Sequence, residues 1–237
     1  MRISGGAARS IQLKTLDLPE LRPATDVMRQ AMFNFLASFF SACRPPSRET
    51  EITSSQETME NENQQFPKSA SARVRPWESK ERTVGPLAGL RFLDLFAGCG
   101  AVGLEAVSRG AASGVFVERH PKLSAIIKEN LAAVCKSAGI SPEDREKNFH
   151  VHSSDVFNFQ PVENSFDVIF CDPPYALIVG NEKKLLGLGR RALKPNGLFL
   201  WEHPFEIPMG APEGFELIKN LGGKGLRTPN VGVFRRR

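Results

Sequence analysis

Two short runs in this 237-residue chain carry residue types that can do chemistry. The first is Asp94-Leu95-Phe96-Ala97-Gly98-Cys99-Gly100-Ala101-Val102-Gly103, a G-x-G-x-x-G pattern entered from an apolar run, with Glu118 twenty residues beyond Gly98. Glycines at that spacing let a backbone turn sharply and approach a ligand closely. An acid at the end of the next strand can accept hydrogen bonds from both ribose hydroxyls. That logic suits NAD as well as any other adenosine-type cofactor. Asp94 shifts the balance, because a dinucleotide fold keeps an apolar side chain two residues before the end of its first strand. A carboxylate there can hold the glycine loop and meet a cationic ligand, and S-adenosyl-L-methionine carries an ammonium and a sulfonium with no pyrophosphate to be cradled. Farther on, Asp155 in Ser154-Asp155-Val156 is placed either to accept a bond from an adenine amino group or to cap a helix.

The second run is Asp172-Pro173-Pro174-Tyr175, which ends the apolar stretch Asp167-Val168-Ile169-Phe170-Cys171. Two prolines remove two N–H donors and stiffen the turn. Carbonyl oxygens, the Asp172 carboxylate and a flat ring remain, and such a pocket suits an amino group attached to a flat base. Its acceptors can hold both N–H bonds so that the nitrogen lone pair points at an electrophilic methyl, with no metal or covalent nucleophile required. Cys99 and Cys171 lack the basic neighbours that would make a thiolate, and read as loop and core residues.

The elements that must position these runs follow from periodicity. Strands are expected at 91–97, 114–118, 148–152, 167–171 and 197–201, with two more near 215–220 and 231–235. Helices are expected through Arg109, from Pro121 to Lys136 and from about Glu182 to Leu193. Strands alternating with helices give an α/β fold, a mostly parallel sheet with helices on both faces. Residues just past the strands' carboxyl ends then line the ligand crevice. Ahead of this body, Arg2 to Leu13 reads as two short strands around Gly5-Gly6. Val27, Met28, Ala31, Met32, Phe35, Leu36, Phe39 and Phe40 read as the stripe of one amphipathic helix capped by Thr25 or Asp26.

From Arg44 to Pro86 the chain turns to Pro, Ser, Glu, Gln and Asn, with apolar residues too sparse to form a face. It reads as a mobile insertion, with a partner motif conceivable around Val74-Arg75-Pro76-Trp77. The expected organisation is a hairpin and helix extension at 1–43, the insertion at 44–86 and one domain at 87–237. No apolar run approaches the roughly 18 to 20 residues of a membrane span, and the N-terminus lacks a secretory pattern, so a cytoplasmic protein is expected. The four cysteines show no Cys-x-x-Cys spacing and read as reduced thiols, with no metal site. The formal net charge is +5, yet the insertion holds seven basic and seven acidic residues, and the six basic residues from Lys219 onward have no acidic counterpart.

Taken together, Asp94, Gly98-Cys99-Gly100, Glu118, Asp155 and Asp172-Pro173-Pro174-Tyr175 resemble the class I S-adenosylmethionine-dependent amino-methyltransferases. Arg2-Ile3-Ser4-Gly5-Gly6 and Arg22-Pro23-Ala24-Thr25-Asp26-Val27-Met28-Arg29-Gln30-Ala31-Met32-Phe33-Asn34 narrow the resemblance to the bacterial 16S ribosomal RNA guanine-N2 methyltransferases of the RsmD type. Gln30 departs from the family's usual Glu, and Ala24 interrupts its Arg-Pro-Thr run. The resemblance implies a Rossmann-like, mixed seven-stranded sheet and methyl transfer to a guanine N2 in 16S rRNA or an assembling small subunit, by a monomer. Asp172, Pro173, Pro174 and Tyr175 become the catalytic candidates. The cofactor candidates are Asp94, Phe96, Gly98, Gly100, Gly103, Glu118, Arg119, Asp155 and Val156. Arg22, Thr25, Asp26 and Arg29 become candidates near the base, and Arg2, Arg9, Arg235, Arg236 and Arg237 candidates for phosphate contact. Other readings are methylation of adenine N6, cytosine N4 or a protein glutamine, an NAD-dependent oxidoreductase, and a noncatalytic RNA-binding module.

Overall fold

A computed structural model describes residues 1–16, 26–43, 85–204, 212–222 and 229–237. Helix α1 spans Asp26–Cys43 and is followed, beyond the undescribed stretch, by strand β1 at Arg91–Leu95 and helix α2 at Ala101–Ser108. Next come β2 (Ser113–Glu118), α3 (Pro121–Ser137), α4 (Pro142–Asn148), β3 (Phe149–Ser153) and β4 (Phe166–Cys171). The chain continues through α5 (Tyr175–Ile178), α6 (Glu182–Ala192), β5 (Leu193–Pro204), β6 (Phe215–Gly222) and β7 (Pro229–Arg236). Every strand and helix read from the 87–237 pattern is present. Periodicity missed α4, whose Pro-Glu-Asp-Arg-Glu-Lys-Asn run buries nothing and starts on a Ser141 cap that accepts the Asp144 N–H at 3.0 Å. It also missed the single turn of α5.

The seven strands form one sheet in the order β3-β2-β1-β4-β5-β7-β6, parallel from β3 to β5 and antiparallel at β7 and β6. The order reverses between β1 and β4, so the loops leaving those two strands open a crevice at their carboxyl ends. At the opposite end, Asp167 binds the Arg91 N–H and the Lys194 ammonium, both at 2.8 Å, which ties the starts of β1, β4 and β5 together.

Alternation along the strands divides the core in two. Phe92, Phe116, Phe170 and Leu200 face α1, α2 and α3, while Leu93, Val117, Ile169, Phe199 and Trp201 face α5 and α6. On the first face Phe92 meets Phe116 edge-on at 5.3 Å, and Phe33 of α1 rests on Phe170 at 5.7 Å.

That last contact corrects the stripe expected for α1. The buried residues are Met28, Arg29, Met32, Phe33 and Leu36, and Val27 is 77% exposed. The helix is apolar most of the way round, so Phe33, seated between Phe170 and the Arg109 guanidinium 5.1 Å from its ring, decides which side faces inward. The N-terminal hairpin is also reduced, to one antiparallel bridge between Arg2 and Gln12, because Gly5-Gly6 is used for docking instead. Gly6 sits at φ 82°, and a β-carbon there would lie 2.1 Å from the Ser108 carbonyl oxygen. The insertion, apart from Gly85 and Pro86, lies outside the described residues, as do Arg22 and Thr25.

The N-terminal segment is held to α2 and α3 by buried polar groups. Glu105, fully buried, accepts the Ser4 N–H and hydroxyl and the Arg109 Nε–H, each at 2.8 Å. Ser108 accepts the Ala8 N–H at 2.9 Å and donates to the Gly5 carbonyl at 2.7 Å. Asn130 accepts the Lys14 N–H at 2.9 Å and donates to the carbonyls of Lys14 and Cys99 at 3.0 and 3.1 Å, linking the extension to the glycine loop. Removing a side chain with three such bonds leaves buried partners unsatisfied, so Asn130→Ala should cost about 2–3 kcal/mol in urea unfolding. It should also expose residues 1–14 to proteolysis before the core; cleavage no faster than in the wild type would show that this tie does not hold the segment.

Candidate active site

The loop after β1 is turned by three left-handed positions, Phe96 (φ 60°), Gly98 (φ 58°) and Gly100 (φ 85°). A phenylalanine in that conformation costs about 1 kcal/mol, and the loop is fixed by its neighbours. Ala97 N–H donates to the Val117 carbonyl at 3.0 Å, and Gly98 N–H to Glu118 Oε2 at 2.8 Å. Glu118 Oε1 accepts the His120 N–H at 2.7 Å. Each carboxylate oxygen keeps further acceptor capacity, so Glu118 can shape the loop and still receive hydroxyl donors.

Asp94 lies inside β1 with 3% exposure, and its Oδ2 accepts the Gly103 N–H at 2.9 Å. A β-carbon at Gly103 would stand 2.3 Å from the Phe116 ring and 2.9 Å from that same oxygen, so only glycine lets α2 approach this closely. Burial raises the Asp94 carboxyl to about 7, against the Gly103 hydrogen bond and with a further upward push from Glu118.

Across the switch point, Asp172 follows β4 and lines, with Asp94, a small open pocket. Met32, Val102, Phe170, Cys171, Leu200, Val231 and Glu202 complete its wall. Burial, then Glu202, then Asp94 hold the Asp172 carboxyl well above the usual carboxylate range, and burial raises Glu202 to about 7. Three acids therefore face one small space. Sequence reasoning passed over Glu202; the available signal was an acid in an apolar strand at the carboxyl end, one position past the partner of Cys171. Burial also pushes the Cys99 and Cys171 thiols up, which keeps both from acting as thiolates.

Within the turn, Pro173 is buried and Tyr175 is 40% exposed. The Pro174 carbonyl accepts the Leu177 N–H at 2.7 Å, so of the two prolyl carbonyls this one is used by α5. Asp155 Oδ1 accepts the Phe157 N–H at 2.8 Å, and the side chain does cap a short 3-10 turn at Val156–Asn158. Val156 is buried in the core, so only its backbone can reach a ligand, while Arg119 is exposed at the end of β2.

The arginine candidates separate. Arg29, expected on a solvated face or at the base, is fully buried and donates to Asp26 at 2.6 Å and to the Arg2 carbonyl at 2.8 Å. Arg2 is exposed beside it, and Arg9 is exposed at the far end of α2, where Ala7 and Ala8 dock on Ser108. Arg235 pairs with Leu198 in the β5–β7 register, and Leu198 with Val168, three residues before Cys171. At about 3.3 Å per residue this puts the terminal arginines some 10 Å below the crevice. Arg235 is bonded there to Glu216 at 2.7 Å, Arg236 to Asn164 and the Leu193 carbonyl, and Arg237 is exposed. The charge excess read from composition therefore lies in part on the wrong end of the sheet for the crevice.

Among the described residues no His, Cys, Asp or Glu cluster is placed to hold a metal ion, and no helix is long and apolar enough to cross a membrane. The raised Asp94 carboxyl gives a sign to test. The folded state binds this proton up to about pH 7 and the unfolded chain releases it near 4, so ionised Asp94 opposes folding increasingly as pH rises through that window and constantly above it. Relative to wild type, Asp94→Asn should therefore gain stability by about 2–4 kcal/mol between pH 4 and pH 8. Denaturant titrations at the two pH values measure this, and a pH-independent difference would place the Asp94 carboxyl in its ordinary range.

The chain is 25% identical to YlbH of Bacillus subtilis over 244 residues, covering all of both chains. It is 31% identical over 128 residues to ribosomal RNA small subunit methyltransferase D of Haemophilus influenzae, covering 54% of this chain and 63% of that protein. The protein of the same name from Escherichia coli K12 is 27% identical over 176 residues, covering 74% and 60%. The matches thus span less than two thirds of those two relatives. Among solved structures, yhhF of Escherichia coli superposes with a TM-score of 0.66 at 22% identity, covering 100% and 98% of the two chains. HI0767 of Haemophilus influenzae gives 0.61 at 21%, covering 99% and 97%. This likeness shows the Rossmann-like class I methyltransferase fold that the motifs implied. The family model described as Conserved hypothetical protein 95 matches residues 1–45 and 59–227, and the chain belongs to that family.

Proposed function

We propose that this protein transfers a methyl group from S-adenosyl-L-methionine to the exocyclic N2 amine of a guanine in 16S ribosomal RNA. The observation that carries the reading is the Asp172-Pro173-Pro174-Tyr175 turn set across the switch point from the Asp94 glycine loop, with both acids on one pocket. Two relatives named ribosomal RNA small subunit methyltransferase D support the substrate class.

The residues fit this cofactor better than NAD. Asp94, Asp172 and Glu202 make the pocket acidic, which repels a pyrophosphate and favours an ammonium and a sulfonium. Glu118 is placed to accept from ribose hydroxyls, and Asp155, with Oδ1 spent on its own turn, retains Oδ2 for an adenine amino group. Bound there, the cofactor supplies a methyl on sulfur that an amine can attack directly.

The chain's own part is to hold and orient. Asp172 accepts one N–H of the target amine and the Pro173 carbonyl is available for the other, turning the lone pair toward the methyl. Fixed acceptors that face developing positive charge are worth a few kcal/mol each by analogy with oxyanion holes, and alignment contributes much of the remainder. The exposed Tyr175 ring can stack on a base that has left its helix, an extrusion that costs a few kcal/mol. Arg2 and Arg119, exposed at the glycine-loop end, are better placed than the terminal arginines to meet phosphates beside the entering base.

Nucleoside mass spectrometry of rRNA from cells lacking the protein should show N2-methylguanosine reduced, restored by the wild-type gene and not by Asp172→Ala. The purified variant should lose at least 100-fold in rate while binding S-adenosyl-L-methionine within about threefold of wild type. Unchanged N2-methylguanosine with loss of a methylated adenine or cytosine would move the reaction to that base, and retained activity would mean that Asp172 does not hold the amine.

A further inference from the structure

We propose that Glu202 is a positioning residue of this site, sharing one proton with Asp172 and relaying through it the proton that leaves the amine. The inference rests on the methyl-transfer reading above. Cys171 and Trp201 are partners in the parallel β4–β5 register, so Asp172 and Glu202 are the next residues of adjacent strands, about 5 Å apart along the sheet. Alternation puts both on the face of Phe170 and Leu200, and both line the same pocket. Glu202 is buried and Asp172 half-buried.

What faces the pair makes a shared proton the favoured state. β1 contributes Asp94, whereas α1, α2 and β7 contribute Met32, Val102 and Val231, which carry no charge, and the Cys171 side chain packs on the opposite face of the sheet. Arg29, the buried cation of α1, is bonded to Asp26 and the Arg2 carbonyl, and among the described residues no salt bridge reaches Asp172 or Glu202. Two neighbouring carboxyls that no described cation bridges do not ionise together readily. The pair keeps one negative charge, and Asp172, the higher of the two carboxyls, becomes the acceptor that the amine needs when the shared proton passes to Glu202.

The step balances without another reactant. The amine nitrogen forms its bond to the methyl carbon as the carbon–sulfur bond breaks, and that electron pair stays on sulfur, leaving a neutral thioether. The nitrogen, now positively charged, gives one proton to Asp172. The pair then holds two protons and returns one to water when the crevice opens, with Glu202 setting how readily Asp172 ionises throughout.

Two readouts on the full chain test this. In ¹³C-carboxyl NMR of the protein without RNA, Asp172 in Glu202→Gln should titrate at least one pH unit lower than in wild type; an unmoved Asp172 overturns the sharing. In methyl transfer to small-subunit rRNA, Glu202→Gln should shift the acidic limb of the pH–rate profile downward by the same amount and lower the plateau at least tenfold. Glu202→Asp should restore most of it. A rate and profile superimposable on wild type would overturn the positioning role. Should the wild type itself fail to methylate this RNA, the proposed function falls, while the NMR titration still decides whether the two acids share a proton.

Discussion

A carboxylate inside the first strand of the sheet, held by one backbone amide, is the constraint on which the rest of this molecule depends. Asp94 is buried, and its hydrogen bond to Gly103 sets the distance between β1 and α2. That distance is possible only because Gly103 has no side chain to collide with Phe116 and Phe92. With α2 fixed, the glycine loop has a short span to cross, and it does so through left-handed positions pinned by Glu118 from the neighbouring strand. A single unfavourable burial thus organises strand, loop and helix, and leaves a site whose electrostatics await a cation.

The topology then doubles the effect. Because the strand order reverses between β1 and β4, the loop that Asp94 organises and the turn that begins at Asp172 open into the same crevice. Glu202 arrives from β5 by register alone. The N-terminal extension closes the other side: α1 lays Met32 on the pocket and Phe33 on Phe170, while Asn130 ties Lys14 to the carbonyl of Cys99 in the glycine loop. Segments far apart in sequence thus converge on a few buried polar groups.

Much of this is legible in the residue order alone, for identifiable reasons. Strand and helix periods are local properties, so the elements from Arg91 onward could be read directly, and turn chemistry marked the glycine loop and Asp172-Pro173-Pro174-Tyr175 as exceptional. What escaped was set by tertiary contact. The inward face of α1 depends on Phe33 meeting a ring 137 positions away, and an almost wholly apolar helix carries no local sign of it. Gly5-Gly6 looks like a hairpin turn until Ser108 is seen pressed against it. Arg29 looks solvated until the extension folds over it. Glu202 needed the register of β5 against β4, and the terminal arginines needed the register of β7 against β5, to reveal that the acid is at the crevice and the arginines are not.

The acidity of the pocket joins the fold to its proposed chemistry, and proton exchange on binding measures it most directly. At pH 6 the Asp94 carboxyl, raised to about 7, is mostly protonated, and a ligand carrying positive charge must displace that proton to gain the carboxylate. Calorimetry of S-adenosyl-L-methionine binding at pH 6, in two buffers of different ionisation enthalpy, should show release of about one proton per molecule bound. The release should fade by pH 8 and be lost in Asp94→Asn. Binding with no buffer dependence at pH 6 would contradict it, because the buried carboxylates would then not be what receives the cation.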